Sequence, residues 1–545
     1  MNAIDITLVM FVAVVASGFI TRMMPWPIPL PLVQIGLGAV IAGVFNHGIA
    51  LDPEVFFLLF LPPLLFLDGW RIPKEGLLRD RFAIFQMAFG LVIFTVVGLG
   101  FLIHWMIPAM PLPIAFALAA IVSPTDPVAV SAITARIPMP KRVMHVLEGE
   151  SLLNDASGLV AFRFAVAAAV TGAFSLSDAA LSFLWVALAG VGVGAGFTWL
   201  MAWGKRRLLK RYGEEPGAEI LVSLLIPFGA YGLAEHVGAS GILAAVAAGI
   251  VMSYVELSGH ALASTRIQRT VVWNTLQFTL NGIMFVLLGE QLPRIFRGAV
   301  QVVEETGHVN PWWLLFYAVV INLALAALRF VWVWGSVKVA RWLASRREEA
   351  IPDPGTRLTL AVSLAGVRGA ITLAGVLTLP LVLADGSPLP ARDLAIFLAA
   401  SVVIVSLLTA SLSLPHLLRE LNAPPSAESH AEEDLAREAV RPASVKAIEQ
   451  RLHDLLRQHP DTDPQRYISV AEHLMQSFNL SHHGALDKDS DPALVREVIA
   501  IEADMRLAAL QASRDELFRL ARENEISEDA CRTAVRRIDL QEARL

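Results

Sequence analysis

Residues 120 to 165 read AIVSPTDPVAVSAITARIPMPKRVMHVLEGESLLNDASGLVAFRFA, which places Asp126, Glu148, Glu150 and Asp155 in or beside two strongly apolar segments. An ionisable group at bilayer depth costs roughly 2.5–3.5 kcal/mol on insertion scales, so each one calls for a partner or a task. The task read here is carrying a cation. In a helix running from about Met144 to Val170, Ser151 and Asp155 are four residues apart and share a face, while Asn154 flanks that face and Glu150 sits one turn before Asn154. A carboxylate with a hydroxyl and an amide beside it is the hard oxygen environment that a small alkali cation prefers. Burial favours the neutral form of a carboxylate and a bound cation favours the ionised form. One group can therefore hold a proton or a metal ion, and alternate exposure of that group to the two sides couples opposite fluxes. The competing reading is a buried carboxylate that only packs helices together.

Composition agrees with a membrane setting. The chain has 545 residues, 55% hydrophobic and 17% charged, and its apolar runs repeatedly reach the roughly 20 residues a helix needs to cross a bilayer. No nucleic-acid partner is indicated, because the charged residues concentrate in loops and in the last 130 or so positions. The one cysteine, Cys531, excludes a disulfide framework within the chain. The first apolar run lacks a preceding basic region and is followed by Arg22, so it reads as a first span and not as a cleavable signal.

Thirteen spans are expected, near 4–20, 28–46, 53–70, 82–107, 111–135, 144–173, 178–203, 217–236, 239–255, 270–291, 311–340, 357–381 and 392–415. Loops after odd-numbered spans carry the basic residues, among them Arg71, Lys74, Arg79, Arg142, Lys205, Arg206, Arg266 and Arg341; loops after even-numbered spans carry few beyond Arg294, Arg297 and Arg392. The positive-inside rule then puts the N-terminus outside and the C-terminus in the cytoplasm. An odd count with a linking middle span permits two six-span halves of opposite orientation, pairing span 5 with span 12. Span 5 is interrupted by Ser123-Pro124-Thr125-Asp126-Pro127 and span 12 by Gly366-Val367-Arg368-Gly369-Ala370. Helix breaks in corresponding positions of two halves point to a transport site, since unwound backbone at that depth is tolerated only where it lines a cavity or is buried in protein.

Thr125 is expected to offer backbone oxygen to the ion, and Asp126 to offset the positive end of a half-helix. Arg368 needs an acid partner, for which Glu150 is the nearest by topology. Asp68, in LPPLLFLDGW, either lines the approach to the site or marks the membrane boundary. Arg329 and Asn281 lie deep in spans 11 and 10 and need partners of their own. Gly190, Gly192, Gly194 and Gly196 fall inside an apolar helix, where close packing explains them better than a nucleotide loop. No histidines have metal-ligand spacing, and no enzyme site or cofactor motif is found. After about Pro415 the chain becomes a charge-rich tail of amphipathic helices, with Ile448, Leu452, Leu455 and Leu456 and then Leu507, Leu510, Leu517 and Leu520 in periodic positions, broken at Pro460, Pro464 and the 484–492 region.

At SPTDPVAV, GESLLNDASGLV and GVRGAITLAG, and further at LPPLLFLDGW and SGILAAVAAGI, the chain resembles the sodium/proton exchanger branch of the monovalent cation:proton antiporters, in its bacterial members with a long cytosolic tail. The resemblance implies a homodimer in the bacterial inner membrane, with a dimerisation domain and a moving core in which spans 5 and 12 cross. By the same resemblance Asp155 is the transport carboxylate and Asn154 its partner. Ser151 and the Thr125 backbone help coordinate Na+, Glu150 and Arg368 form a stabilising ion pair, and Asp126 is the aspartate of the crossing. Members with Asn before the Asp are generally electroneutral, which Asn154 implies here.

The chain thus reads as an all-α polytopic membrane protein of about thirteen transmembrane helices in two inverted six-helix repeats with crossed, broken helices. Residues 1–415 form the exchange domain and 416–545 a cytosolic helical tail, regulatory or for assembly. Sodium/proton antiport is the leading function. Potassium/proton exchange, a non-transporting sensor that signals through the tail, and a cation channel are the alternatives.

Overall fold

The computed structural model describes residues 3–24, 28–45, 53–72, 74–126, 130, 139–172, 176–212, 215–257, 263–305, 312–346, 355–383, 387–419, 427–458, 464–479 and 492–542. The helices in order are α1 Ala3–Met23, α2 Leu30–Phe45, α3 Pro53–Arg71, α4 Lys74–Arg79, α5 Arg81–Met106, α6 Leu112–Val122, α7 Lys141–Thr171, α8 Leu176–Tyr212, α9 Pro216–His236 and α10 Gly241–Glu256. They continue with α11 Ala263–Glu305, α12 Trp312–Ser345, α13 Gly355–Leu364, α14 Ala370–Leu377, α15 Arg392–Arg419, α16 Ala427–Gln458, α17 Pro464–Asn479, α18 Pro492–Arg522 and α19 Glu528–Glu542. Among the described residues the only β pairing is an isolated bridge between Val382 and Pro388. The architecture is all-helical, as an apolar chain in lipid requires: each helix satisfies its own backbone groups where no water is available.

Seven helices are long and apolar enough to cross a membrane, within α5, α7, α8, α9, α11, α12 and α15, and four shorter apolar helices lie within α1, α2, α6 and α10. With α3 and the broken pair α13/α14, every expected span coincides with a helix. Pro127 and most of the second half of span 5 lie outside the described residues. The last apolar helix continues through Pro415 to Arg419, past the expected boundary at 415, and its Leu414 and Leu418 are buried in the same core.

The spans pack as two bundles. In one, α2 lies along α11, α3 along α10, and α8 along α10, with α1 and α9 flanking them. Helices in lipid gain little from hiding apolar surface and are held by close packing, for which small residues are needed. The α2/α11 seam shows this: a Cβ on Gly289 would lie 1.9 Å from the Ile35 carbonyl oxygen. Of the alternating glycines in α8, Gly194 meets the Ala244 backbone in the same way and Gly190 meets Ser240, whereas Gly192 and Gly196 have nothing within 4 Å. Close packing therefore accounts for one register of that stretch only. Between α3 and α11, fully buried Trp273 stacks on Phe66 with ring centroids 5.2 Å apart and meets the edge of Trp70.

The other bundle holds α5, α6, α7, α12, α13, α14 and α15. A π-helical turn at Gln86–Leu91 interrupts α5, and the Ala88 carbonyl accepts from the Ser157 hydroxyl of α7 at 2.6 Å. A π turn displaces backbone groups from the regular ladder, and this hydroxyl serves one of them without water. In the tail, α16 to α19 close around two small apolar cores, one with Leu517, Phe518, Cys531 and Val535, the other with Ile448, Leu474 and Met505. The expected breaks recur, with α17 beginning at Pro464 and α18 at Pro492. Helix α19 is docked on the spans: Glu528 meets Lys74 of α4 at 2.9 Å, Asp529 meets His145 of α7 at 3.5 Å, and Asp539 pairs with Arg266 of α11.

Candidate functional site

The two unwound segments meet. Pro124 to Asp126 follow the end of α6, Ala365 to Gly369 join α13 to α14, and the Asp126 amide donates to the Val367 carbonyl at 2.7 Å where they cross. A broken helix leaves carbonyls bare at one stump and amides bare at the other, with partial charges to match. Side chains answer each stump. Arg368 Nε donates to the Val122 carbonyl at the end of α6 (3.0 Å), and its guanidinium also reaches the Gly366 carbonyl. Arg329 Nε donates to the Val362 carbonyl near the end of α13 (3.2 Å). Asp126 lies over Gly369, the residue that caps the N-terminus of α14, where an anion is favoured. The Arg368 amide donates to Ser406 Oγ of α15 at 3.1 Å.

Helix α7 runs beside this crossing and fixes Thr125 from three positions. Ser151 Oγ donates to the Thr125 carbonyl (2.6 Å), Asn154 Nδ2 donates to Thr125 Oγ1 (3.0 Å), and Thr125 Oγ1 donates to Glu150 Oε1 (3.4 Å). Glu150 is 1% exposed, and its carboxylate is gripped at both oxygens by Arg329, at 2.5 and 2.7 Å. The Glu150–Arg368 ion pair expected from sequence is therefore corrected: the partner of Glu150 is Arg329. The physical reason is helix placement. Arg329 on α12 reaches across α13 to α7, while the unwound backbone turns Arg368 toward the carbonyls of its own crossing. The sequence marked Arg329 as a deep charge needing a partner, but with two arginines and one acid it does not decide between them.

Asp155 is different from Glu150. It is buried, and among the described residues it has no hydrogen bond or ion pair. It borders a cavity of about 30 Å³ together with Asp68, Thr125, Asp126, Ser151 and Asn281. That is room enough for a water molecule or a small ion. Asp68 is on α3 and Asn281 on α11, so the cavity lies between the two bundles. Its walls offer carboxylate, hydroxyl, amide and backbone oxygens, the ligand types of hard cations. Of the expected ion ligands, Asp155, Ser151 and Thr125 line this cavity. Asn154 does not and stands one step back, positioning Thr125. Asp68 lines the cavity and so is more than a boundary marker.

Sequence reasoning missed Gln277, which also lines the cavity. The signal was available: Gln277 and Asn281 are four apart on an apolar span and share a face. Arg71 orients this face by donating to Gln277 Oε1 at 2.7 Å and to Asn274 Oδ1 at 2.5 Å. One substitution tests the crossing itself. A Cβ on Gly369 would lie 2.2 Å from Asp126 Oδ2 and 2.6 Å from Asp126 Cβ. Gly369→Ala is expected to cost about 1–3 kcal/mol in thermal unfolding, as overpacking does, and to depress cation exchange. Gly192→Ala, which meets open space, is expected to stay within about 0.5 kcal/mol.

Comparison with known proteins agrees with this geometry. Residues 8–420 match the family described as sodium/hydrogen exchanger, transmembrane. The chain is 40% identical over 541 residues to the uncharacterized Na+/H+ exchanger YjcE of Escherichia coli (strain K12), covering 99% of this chain and 98% of that protein. It is 43% identical over 432 residues to a sodium, potassium, lithium and rubidium/H+ antiporter of Bacillus subtilis (strain 168), covering 76% of this chain and 62% of the relative. In fold it is similar to the sodium proton antiporter MjNhaP1 of Methanocaldococcus jannaschii, with a TM-score of 0.55 and 18% identity over 76% of this chain and 95% of that one. A broken-helix crossing beside a buried aspartate, and a family match over residues 8–420 that reaches from α1 to α15, lead to one conclusion: the chain is a multi-pass member of the sodium/hydrogen exchanger family.

Proposed function

We propose that the protein exchanges a monovalent cation, with sodium as the first candidate, for protons by alternating access, with Asp155 as the group that carries either. The observation that supports this most is that Asp155, which among the described residues has no hydrogen bond or ion pair, borders a small cavity beside Thr125 and Ser151. A structural carboxylate at this depth would be paired, as Glu150 is. The position between two bundles supports alternating access, because relative movement of the bundles changes which side the cavity faces. In this reading one proton exchanges for one cation, since Asn154 is neutral where a second acid would add a charge. The protein works as a homodimer, with its N-terminus outside and its C-terminus in the cytoplasm, in keeping with the basic loops. The last part of the chain, from about residue 416, acts as a regulatory or assembly tail.

Potassium is the second reading. It is favoured by the name of the Bacillus subtilis relative, which includes potassium, lithium and rubidium. Proton efflux from acid-loaded proteoliposomes, recorded on adding Na+, K+ or Li+ in turn with the membrane potential free or clamped, tests both. A sodium-dependent signal that ignores the potential is expected. A signal with potassium of equal size makes the site non-selective, and no cation-dependent proton movement by well-folded protein overturns the proposal.

A further inference from the structure

A cavity of about 260 Å³ lies away from the ion site. It lies where the tail docks on the spans, walled by the end of α10, the start of α11, α4 and α19. Three carboxylates line it, and each is already matched to a base. Glu528 is held by Lys74 at 2.9 Å, and Asp539 by Arg266, both nearly buried. Glu256 takes Arg269 at 2.5 Å and the Trp70 indole at 2.8 Å. Two further guanidiniums, Arg532 and Arg536, line the same cavity from successive turns of α19; neither forms an ion pair within 4 Å among the described residues, and the Arg532 charge faces Glu256 and Glu148 at longer range. Among the described residues Arg532 donates to the Arg71 carbonyl, at 3.2 Å.

Arg532 and Arg536 repel one another at this spacing, and Glu528, four residues before Arg532, and Asp539, three after Arg536, offset that repulsion within α19. Ile267, Val271 and Leu540 add apolar surface beside Thr270 and Asn274, with Val271 and Leu540 half exposed. A basic, partly apolar pocket at the membrane end of transmembrane helices suits an anionic phosphate group, which guanidinium forks bind in paired hydrogen bonds. We infer that this cavity is a binding site for a phosphate-bearing anion held by Arg532 and Arg536. The phosphate belongs to a lipid headgroup entering from the bilayer or to a soluble phosphate compound. Because the walls belong to the spans and to the tail alike, occupancy joins the two.

The test uses the full chain. Thermal unfolding in detergent is followed with inorganic phosphate against chloride at matched ionic strength, and in nanodiscs with phosphatidylglycerol against phosphatidylcholine alone. Wild type is expected to gain stability with phosphate, which assigns the soluble source, or only in the phosphatidylglycerol discs, which assigns the lipid. In the Arg532→Gln/Arg536→Gln variant the midpoint concentration should rise about tenfold or more, or the disc effect should vanish. Both arginines are exposed, so the variant should elute and unfold like wild type without anion. Arg537→Gln removes the same charge from α19 outside the cavity and should keep the shift. No anion-specific shift in wild type, an equal shift in the double variant, or an equal loss in Arg537→Gln overturns the inference.

Discussion

Asp155→Asn is expected to reduce cation-dependent proton movement to the passive leak of the proteoliposome while the protein stays folded. Asparagine keeps the size of the side chain and removes the carboxylate proposed to take a proton or a cation in turn. Folding should not suffer, because Asp155 makes no hydrogen bond or ion pair among the described residues that the change would break. It also shares its cavity with Asp68 and Asp126, so removing one of three acids relieves repulsion, and thermal stability should equal or exceed that of wild type. Binding is read separately from flux. A ligand present at about 100 times its dissociation constant stabilises a one-site protein by about 2.7 kcal/mol, so saturating sodium should raise the unfolding temperature of wild type and leave Asp155→Asn unmoved. Protons compete for the same oxygens, so the sodium concentration needed for half the shift should rise as pH falls. Normal exchange in the variant would sink the mechanism, and a sodium shift retained without exchange would move the ion ligands elsewhere in the cavity.

Removing Arg329 is expected to be the most destabilising single change near the site. The Arg329–Glu150 pair is bidentate, with side chains 3% and 1% exposed, and Arg329 also serves the carbonyl at the end of α13. Breaking a buried pair from one side costs about 3–5 kcal/mol, because the remaining charge is left in an apolar interior, whereas replacing both partners by apolar groups of similar volume is often neutral. Arg329→Ala and Glu150→Ala should therefore each fall in that range in thermal unfolding, and Glu150→Leu/Arg329→Met should recover most of the loss. Arg368→Ala strips partners from the Val122 and Gly366 carbonyls instead, a loss of about 1–3 kcal/mol for each group left unsatisfied. A double-mutant cycle separates the two arginines: coupling of Glu150 should be large with Arg329 and small with Arg368. The reverse order would restore the pairing read from sequence.

Much of the membrane part was legible because lipid imposes simple demands. Helix length follows from bilayer thickness, and Pro124 and Gly366 to Gly369 announce breaks that lipid tolerates only inside protein. That Asp155, Ser151 and Thr125 come to one cavity was legible for a related reason: oxygen-bearing side chains stand out against Leu and Ala in an apolar span. What sequence did not yield depends on how helices rotate against one another. Arg329 and Arg368 are equally deep and equally charged, and only the placement of α12 behind α13 decides which one meets Glu150. Asn154 sits beside Asp155 in the chain, yet the turn of α7 aims it at the Thr125 hydroxyl and away from the cavity. The docking of α19 was hidden most completely, since Asp539 and Arg266 are 273 residues apart and no local pattern relates them.

The seams of the first bundle bear on how this sequence tolerates drift. At Gly289 and Gly194 even one methyl group would enter the backbone of the facing helix, so selection for folding alone retains glycine there, whatever the protein transports. Gly192 and Gly196 face open space, and mutation is free to replace them. Along residues 190 to 196 the freedom to vary therefore alternates between fixed and free glycines. Four identical residues in one short stretch are under two different constraints, set by which side of α8 each one occupies.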